Sequence, residues 1–397
     1  MQSNTAEARP PERRALRVVE DPPERRTSWL LQCDTGRDYR VRLCDSLLDP
    51  TSTALSEALA GRNAIVVTTP TVHRLHGALL RTALESASVG ATIVLDIREE
   101  TKSLHSVERL CQEALAHGLD RRGVLVAFGG GVCSDVVTVA ASLIRRGIAH
   151  LRVPTTLIGQ LDAGIGLKGA VNFAGKKSFL GCFHPPEQVL IVPRLLRSLP
   201  VRFLVSGLAE SLKMGIARDP RLFELIEENA AEMVASAFAT DDATEVLQRS
   251  IGSMLEELAS NPFEDRTYER LVDFGHTFSN AIEGALSFQI HHGEAVAIDL
   301  ALSACIAEAI GLLDAAASSR IIAALRSASL PVWTPVLDLD LCSFALAEAT
   351  RHRGGAMNLV VPAGIGRAVF VRRREQLPDE ALETALSRLA ARAREDA

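Results

Sequence analysis

The sequence predicts an α/β domain built on a parallel sheet, followed by a mainly α-helical domain, and three observations predict it. Short β-branched apolar runs alternate with amphipathic stretches through the first half of the chain. Beyond Pro193 the segments lengthen and apolar residues recur at three- and four-residue spacing. The length, 397 residues, suits two domains at roughly 150 residues each. Continuous apolar strands separated by helices are the pattern of a sheet covered on both faces.

Taken in order, residues 1–28 are charged and proline-rich, with too little apolar content to offset the entropy of ordering, and are expected to form a flexible arm. The α/β unit, 29–195, holds five strand candidates: AIVVTTP (64–70), ATIVLDI (91–97), GVLVAFGGG (123–131), LRVPTT (151–156) and QVLIVP (188–193). The unit from 196 to 397 reads as helical through segments such as SGLAESLKMGIA and LVDFGHTFSNAIEGAL. Within it, NLVVPA and RAVFVR predict a small hairpin across Gly364 to Gly366, and the last twenty residues predict a surface helix. A cleft between two such domains, outside the carboxyl ends of the strands, is where chemistry is expected.

Forty-three basic residues against 49 acidic ones give a net charge of −6, mixed along the chain. Nucleic-acid scaffolds need a basic face to neutralise phosphates, so that class is excluded, while a local basic pocket for one small anion is not. The cysteines, Cys33, Cys44, Cys111, Cys133, Cys182, Cys305 and Cys342, are scattered without a Cys-x-x-Cys pair and read as reduced thiols. The N-terminus lacks the apolar run of a secretory signal. The stretch from Ala295 to Leu313 is interrupted by Asp299 and Glu308 and reads as a core helix, not a membrane span. The expectation is a cytoplasmic protein with no nucleic-acid or membrane partner.

Four constellations carry chemistry. Gly129-Gly130-Gly131 stands between an apolar strand and a helix, where glycines let a ligand approach and a helix N-terminus offers free N–H groups to a pyrophosphate. The spacing is not G-x-G-x-x-G, and ordinary tight turns use glycine too. Lys168, Lys176, Lys177 and Lys213, with Arg145 and Arg146, form a basic set fit to hold a phosphate monoester or to face solvent. Asp162 lies six residues before Lys168, and a carboxylate beside a lysine is expected to stay ionised. Glu210 sits in an apolar helix where an unpaired carboxylate is costly, and His276 and His292 flank glycines. Two imidazoles and one carboxylate would leave open positions on Zn²⁺ for substrate oxygens. The fourth, Arg351-His352-Arg353-Gly354-Gly355, is a cationic turn that either closes over an anionic substrate or faces solvent.

Together these segments resemble the sugar phosphate cyclases, the superfamily of 3-dehydroquinate synthase. GGGVCSD, RVPTTLIGQLDAGIGLKGAVNF, GKKSFLGCFHPP, GLAESLKMG, VDFGHTFS and HHGEAVAID stand in the family's order, and the likeness runs from about residue 64 to 370. Within the superfamily the chain is similar to the sedoheptulose 7-phosphate cyclases that make valiolone-type cyclitols. That likeness rests on Asp162-Ala163-Gly164, FHPP (183–186), MLEELASNPFE (254–264), VDFGH with Asp273, and TRHRGGAMNLVVPAGIG. The resemblance implies a dehydroquinate synthase-like fold, with a Rossmann-like first domain, and a homodimer.

By position, the resemblance implies NAD binding by Glu99, Lys102, Gly130, Gly131, Val132, Asp135, Thr155, Thr156 and Ile158, with Lys168 and Lys177 adjoining. It implies a Zn²⁺ or Co²⁺ ion on Glu210, His276 and His292. Arg146, Asn172, Lys177 and Arg353 would bind the sugar phosphate, and Asp162, Lys168, Lys213, Asp273 and His352 would act on it. Asp273 and His352 match positions where this subfamily differs from dehydroquinate synthase. Ser178, Gly169 and Asn280 depart from the family pattern.

The implied reaction is NAD-mediated oxidation, phosphate elimination, reduction and intramolecular aldol closure, with the cofactor regenerated. The rival readings are dehydroquinate synthase itself or another sugar phosphate cyclase, a metal-dependent polyol dehydrogenase and a non-catalytic NAD-binding regulator.

Overall fold

The computed structural model describes residues 18–20, 28–31, 38–45, 47–49, 52–86, 90–287 and 289–394. In the first half the strands are β1 (Val18–Glu20), β2 (Ser28–Leu31), β3 (Tyr39–Leu43), β4 (Ala64–Thr68), β5 (Ala91–Val94), β6 (Val124–Gly129), β7 (Ala149–Pro154), β8 (Lys168–Phe173), β9 (Lys176–Phe183) and β10 (Gln188–Ile191). Among the described residues, eight of them form one sheet in the order β1-β2-β3-β10-β7-β6-β4-β5. From β3 to β5 all neighbours run parallel, and β1 and β2 add an antiparallel edge.

The apolar runs are continuous because both sheet faces are covered. Val124, Val126 and Phe128 of β6 enter one apolar cluster with Leu55 and Leu59 of α1 (Ala54–Leu59) and Leu80 of α2 (Pro70–Ser86). Leu125 and Ala127 enter another with Leu110 of α3 (Leu104–Ala116) and Val136, Val137 and Ala140 of α4 (Gly131–Leu143). Each large apolar side chain so buried contributes about 1.5–3 kcal/mol. From β4 the chain goes to β5 on one side and then to β6 on the other. The crevice outside the carboxyl ends of β4 and β6 is therefore the switch point at which such sheets take ligands.

The second half is helical: α5 (Val201–Ala217), α6 (Pro220–Ala235), α7 (Asp241–Ser260), α8 (Ser279–Ala285), α9 (His292–Ala309), α10 (Ala315–Ser327), α11 (Leu339–His352) and α12 (Asp379–Arg394). Helix α9 is apolar on every side and buried, packed among α5, α8, α10 and α12. It is the stretch expected to be a core helix, and among the described residues no helix is long and apolar enough to cross a membrane. The expected hairpin is β11 (Leu359–Pro362) with β12 (Ala368–Val371), and the C-terminal helix is α12.

Two expectations change. Residues 18–20 and Ser28, expected within the flexible arm, belong to the paired strands β1 and β2; the rest of that arm lies outside the described residues, as does Cys33. The lysine-bearing segments after Asp162 form an antiparallel hairpin, β8 with β9, turned at Ala174 and Gly175 with φ of 50° and 75°. The six described cysteines are free.

Candidate active site

Helix α5 carries Glu210, 1% exposed, among apolar neighbours. Helix α9 begins at His292, and Gly293 lets it approach α5: a Cβ there would lie 1.9 Å from the Ser206 carbonyl oxygen. The glycine is thus what brings His292 to the helix of Glu210. His276 follows the 3₁₀ turn 271–273 and Gly275, whose φ of 76° favours glycine. The three offer ligand atoms within 4.8 Å of one another. His292 Nε2 lies 3.3 Å and His276 Nε2 3.7 Å from Glu210 Oε1.

The outer ring nitrogens are already engaged. His276 Nδ1 donates to the Phe274 carbonyl at 3.0 Å, and His292 Nδ1 to Glu283 Oε1 at 2.7 Å. With each Nδ1 so engaged, Nε2 is the ring atom that faces Glu210, the arrangement in which metal-binding histidines are held. Burial holds His276 near a pKa of about 4, against the pull of Glu210, so it is neutral. Burial opposes protonation of His292 as well, but the nearby Glu210 carboxylate and the bond to Glu283 outweigh it and raise its pKa to about 9, so a metal ion would take the place of the Nε2 proton. Burial also works against ionised Glu210, yet Lys213, His276 and His292 keep its pKa well below the usual carboxylate range. Neither Glu210 oxygen has a well-aligned hydrogen-bond donor, although Lys213 Nζ is 2.6 Å from Oε2. A buried, ionised carboxylate with two imidazole Nε2 atoms turned toward it fits a divalent cation, which displaces the His292 proton on binding.

Lys213 joins this cluster to the other half of the molecule, reaching Asp162 Oδ2 at 3.0 Å. Asp162 lies in a π-helical turn, 159–163. Its pKa is raised, because burial and the nearby Glu210 charge exceed the pull of Lys213.

The nucleotide side is the switch-point crevice. Gly130 caps α4, and a Cβ on it would lie 3.1 Å from Thr156 Cγ2, whereas one on Gly131 would meet nothing closer than Ala163 Cβ at 3.9 Å. Thr68 Oγ1 and Ser134 Oγ are buried there without hydrogen-bond partners. Open backbone at a helix N-terminus, flanked by unspent hydroxyls, fits a pyrophosphate. Thr155 N is bonded to the Gly129 carbonyl, Thr156 Oγ1 to Gly159 N, and Ile158 caps the π turn. Asp135 accepts from Lys102 Nζ at 2.9 Å and Ala170 N at 3.2 Å. Glu99 lies 3.2 Å from the same ammonium, which also donates to Ser178 Oγ.

Lys168 contacts Glu264, which also contacts Arg270; Arg270 in turn meets Asp273, and Arg353 lies 3.6 Å from Asp273 Oδ2. Lys168 is half-exposed by area. Desolvation, then Arg270, push its pKa down to about 8. Arg353 is buried and donates to the Met357 and Asn358 carbonyls, and His352 is exposed beside it at the end of α11.

Two candidates are placed otherwise than expected. Arg146 lies in an exposed turn with φ of 69° before β7, whereas Thr155 and Asp162 follow its other end. A six-residue strand spans about 20 Å, so this chain does not bring its own Arg146 to the triad. Asn172 is spent within the fold: its Nδ2 donates to the Glu99 carbonyl and carboxylate, and its Oδ1 accepts from Ser178 N. Of the departures, Gly169 has a local reason, and nothing in the structure explains Ser178 or Asn280. A Cβ on Gly169 would lie 2.5 Å from Thr138 Cβ, so Thr138 fills that space. Ser178 has φ of 51°, a conformation asparagine tolerates better.

Sequence reasoning missed Glu283, Glu264, Arg270, Arg152 and Asp299. Arg152, inside the apolar strand HLRVP, carried the same signal that marked Glu210: a charge where only apolar residues are expected.

A switch-point crevice facing a buried carboxylate and two imidazoles defines a nucleotide- and metal-binding α/β enzyme. Residues 92–206 match the 3-dehydroquinate synthase N-terminal family model and 207–350 the C-terminal one, and the chain belongs to the 3-dehydroquinate synthase family. Within it, the chain is 42% identical over 382 residues to the 2-epi-5-epi-valiolone synthase of Streptomyces glaucescens, covering 95% of this chain and 97% of that one. It is 34% identical over 360 residues to the 2-epi-valiolone synthase of Actinosynnema mirum, covering 89% and 92%. Its fold matches ValA, the 2-epi-5-epi-valiolone synthase of Streptomyces hygroscopicus subsp. jinggangensis 5008 solved with NAD⁺ and Zn²⁺ bound. The TM-score is 0.84 at 41% identity, over 89% of this chain and 97% of that one.

Proposed function

We propose that the protein is a sedoheptulose 7-phosphate cyclase, a phosphate-eliminating lyase forming 2-epi-5-epi-valiolone or its epimer 2-epi-valiolone. The observation that carries this reading is Lys213, which bridges Glu210 of the triad and Asp162 beside the switch-point crevice. The relatives of valiolone-forming activity support it.

Glu210, His276 and His292 would hold one Zn²⁺ or Co²⁺ ion, since nitrogen and oxygen ligands suit both. The α4 N-terminus at Gly130, Gly131 and Val132, with Thr155, Thr156, Ile158 and Asp135, would hold NAD⁺. When bound, the dinucleotide supplies a reversible hydride acceptor and the ion a Lewis acid. Lys213 keeps Glu210 ionised and holds Asp162 at the reacting end of the sugar. Lys168 and Arg270 bind the phosphate and stabilise its charge as it leaves, with Glu264 yielding its place to the phosphate oxygens. Asp273, between Arg270 and Arg353, and His352 recognise the hydroxyls of the longer sugar. All reacting carbons belong to one molecule in one pose, so ring closure avoids the entropic cost of a bimolecular encounter.

Sedoheptulose 7-phosphate is expected to yield inorganic phosphate without net NADH, and NMR of the product decides the epimer. Stoichiometric NADH accumulation would instead identify a polyol dehydrogenase. No phosphate release from any sugar phosphate removes the cyclase reading. A homodimer belongs to the same proposal and is checked by light scattering.

A further inference from the structure

Among the described residues Arg152 is the largest side chain that the fold buries completely, and it makes no ion pair with a carboxylate within 4 Å. A buried cation without a counter-ion is costly, and burial lowers its pKa despite the nearby Asp135. Its hydrogen bonds account for its place. Nη1 donates to the carbonyls of Ala163 at 3.5 Å, Gly164 at 3.1 Å and Gly166 at 2.5 Å; Nη2 donates to the Lys168 carbonyl at 2.9 Å and Thr138 Oγ1 at 2.8 Å.

These carbonyls trace one segment. Ala163 and Gly164 close the π-helical turn that carries Asp162, where terminal carbonyls lack intrahelical partners and favour a cation. Such turns are rare and recur at functional sites. The turn is tight, since a Cβ on Gly164 would lie 2.1 Å from the Gly159 carbonyl oxygen. The last carbonyl in the fan is that of Lys168, where β8 begins. The segment between, AGIGL, has two glycines and little conformational preference of its own.

We propose that Arg152 is a positioning residue whose guanidinium clamps backbone 163–168, setting the separation of the Asp162 carboxylate and the Lys168 ammonium on the substrate. The clamp rests on the cyclase reading only for the roles of those two groups. Lysine cannot replace it, because one ammonium does not reach carbonyls on both sides of the segment.

The test compares Arg152→Lys and Thr138→Val with wild type by amide hydrogen exchange, and by turnover of sedoheptulose 7-phosphate. In Arg152→Lys, amides 163–168 are expected to exchange at least tenfold faster, while β4 and β6 keep their protection and NAD⁺ and zinc loading are unchanged. Its kcat is expected to fall at least tenfold, and Thr138→Val to lie between the two. Wild-type exchange in 163–168, a uniform rise across the whole sheet, or faster exchange with wild-type kcat overturns the proposal. If Arg152→Lys does not fold, Thr138→Val decides on the same criteria. Should no sugar phosphate turn over, exchange still decides the clamp while the cyclase reading falls separately.

Discussion

Glu283 receives His292 Nδ1 on one carboxylate oxygen at 2.7 Å and, on the other, Lys177 Nζ at 2.8 Å. One buried side chain of α8 thus fixes the ring of a candidate metal ligand and ties it to the β9 strand of the first half. Bonds to two cationic partners overcome burial and hold its pKa near 2, so it stays charged.

Removing that carboxylate is expected to weaken the metal site without removing it. Glu283→Ala should lower zinc affinity about 10- to 100-fold, the range for lost partners of metal-bound histidines. Glu283→Gln, which still accepts from His292, should lose less. Competition with a chromophoric chelator measures both, and wild-type affinity in Glu283→Ala counts against His292 as a ligand.

Loss of Glu210 should be more severe. Glu210→Ala is expected to bind no stoichiometric zinc and to show no turnover, with an unchanged far-ultraviolet circular dichroism spectrum. Metal content equal to wild type would reassign the ligand set.

The dinucleotide crevice is tested by Gly130→Ala. The new methyl lies 3.1 Å from Thr156 Cγ2 and covers the α4 N-terminus. A rise in the NAD⁺ Kd of about tenfold or more, with zinc content unchanged, is expected by calorimetry. An unchanged Kd places the pyrophosphate elsewhere.

Asp299 gives a pH-dependent stability. It is fully buried and accepts from Phe278 N at 2.5 Å, Ser279 N at 3.0 Å and Ser303 Oγ at 3.0 Å, anchoring the loop after His276. Burial raises its pKa to about 6, against those bonds. A raised folded pKa means that its contribution is present below about pH 4 and is lost as pH rises through 6. Asp299→Asn keeps the acceptor and carries no charge, so it should gain on wild type by about 2 kcal/mol between pH 4 and pH 8. Urea unfolding at both pH values measures the difference, and a gap that does not widen with pH rules out a raised pKa.

Much of this was readable in one dimension. The strands β4, β6 and β10 announce themselves because burial on both faces demands unbroken apolar runs, and Glu210 stands out as a charge in an apolar helix. The hairpin β8–β9 did not, since its exposed lysines and phenylalanines carry no alternation. Glu283 looked like an ordinary surface glutamate of a short helix, and only its neighbours distinguish it.

The amino-acid sequence by itself determined the two-part architecture and the glycine turn before α4, and it marked Glu210, His276 and His292 as candidate ligands. These follow from local rules: periodicity, backbone freedom and side-chain chemistry act over a few residues. Tertiary structure alone decided that α9 meets α5 at Gly293, that Lys213 spans to Asp162, and that Arg152 holds the segment between Asp162 and Lys168. Those relations depend on packing between distant elements, and no single segment encodes the position of another.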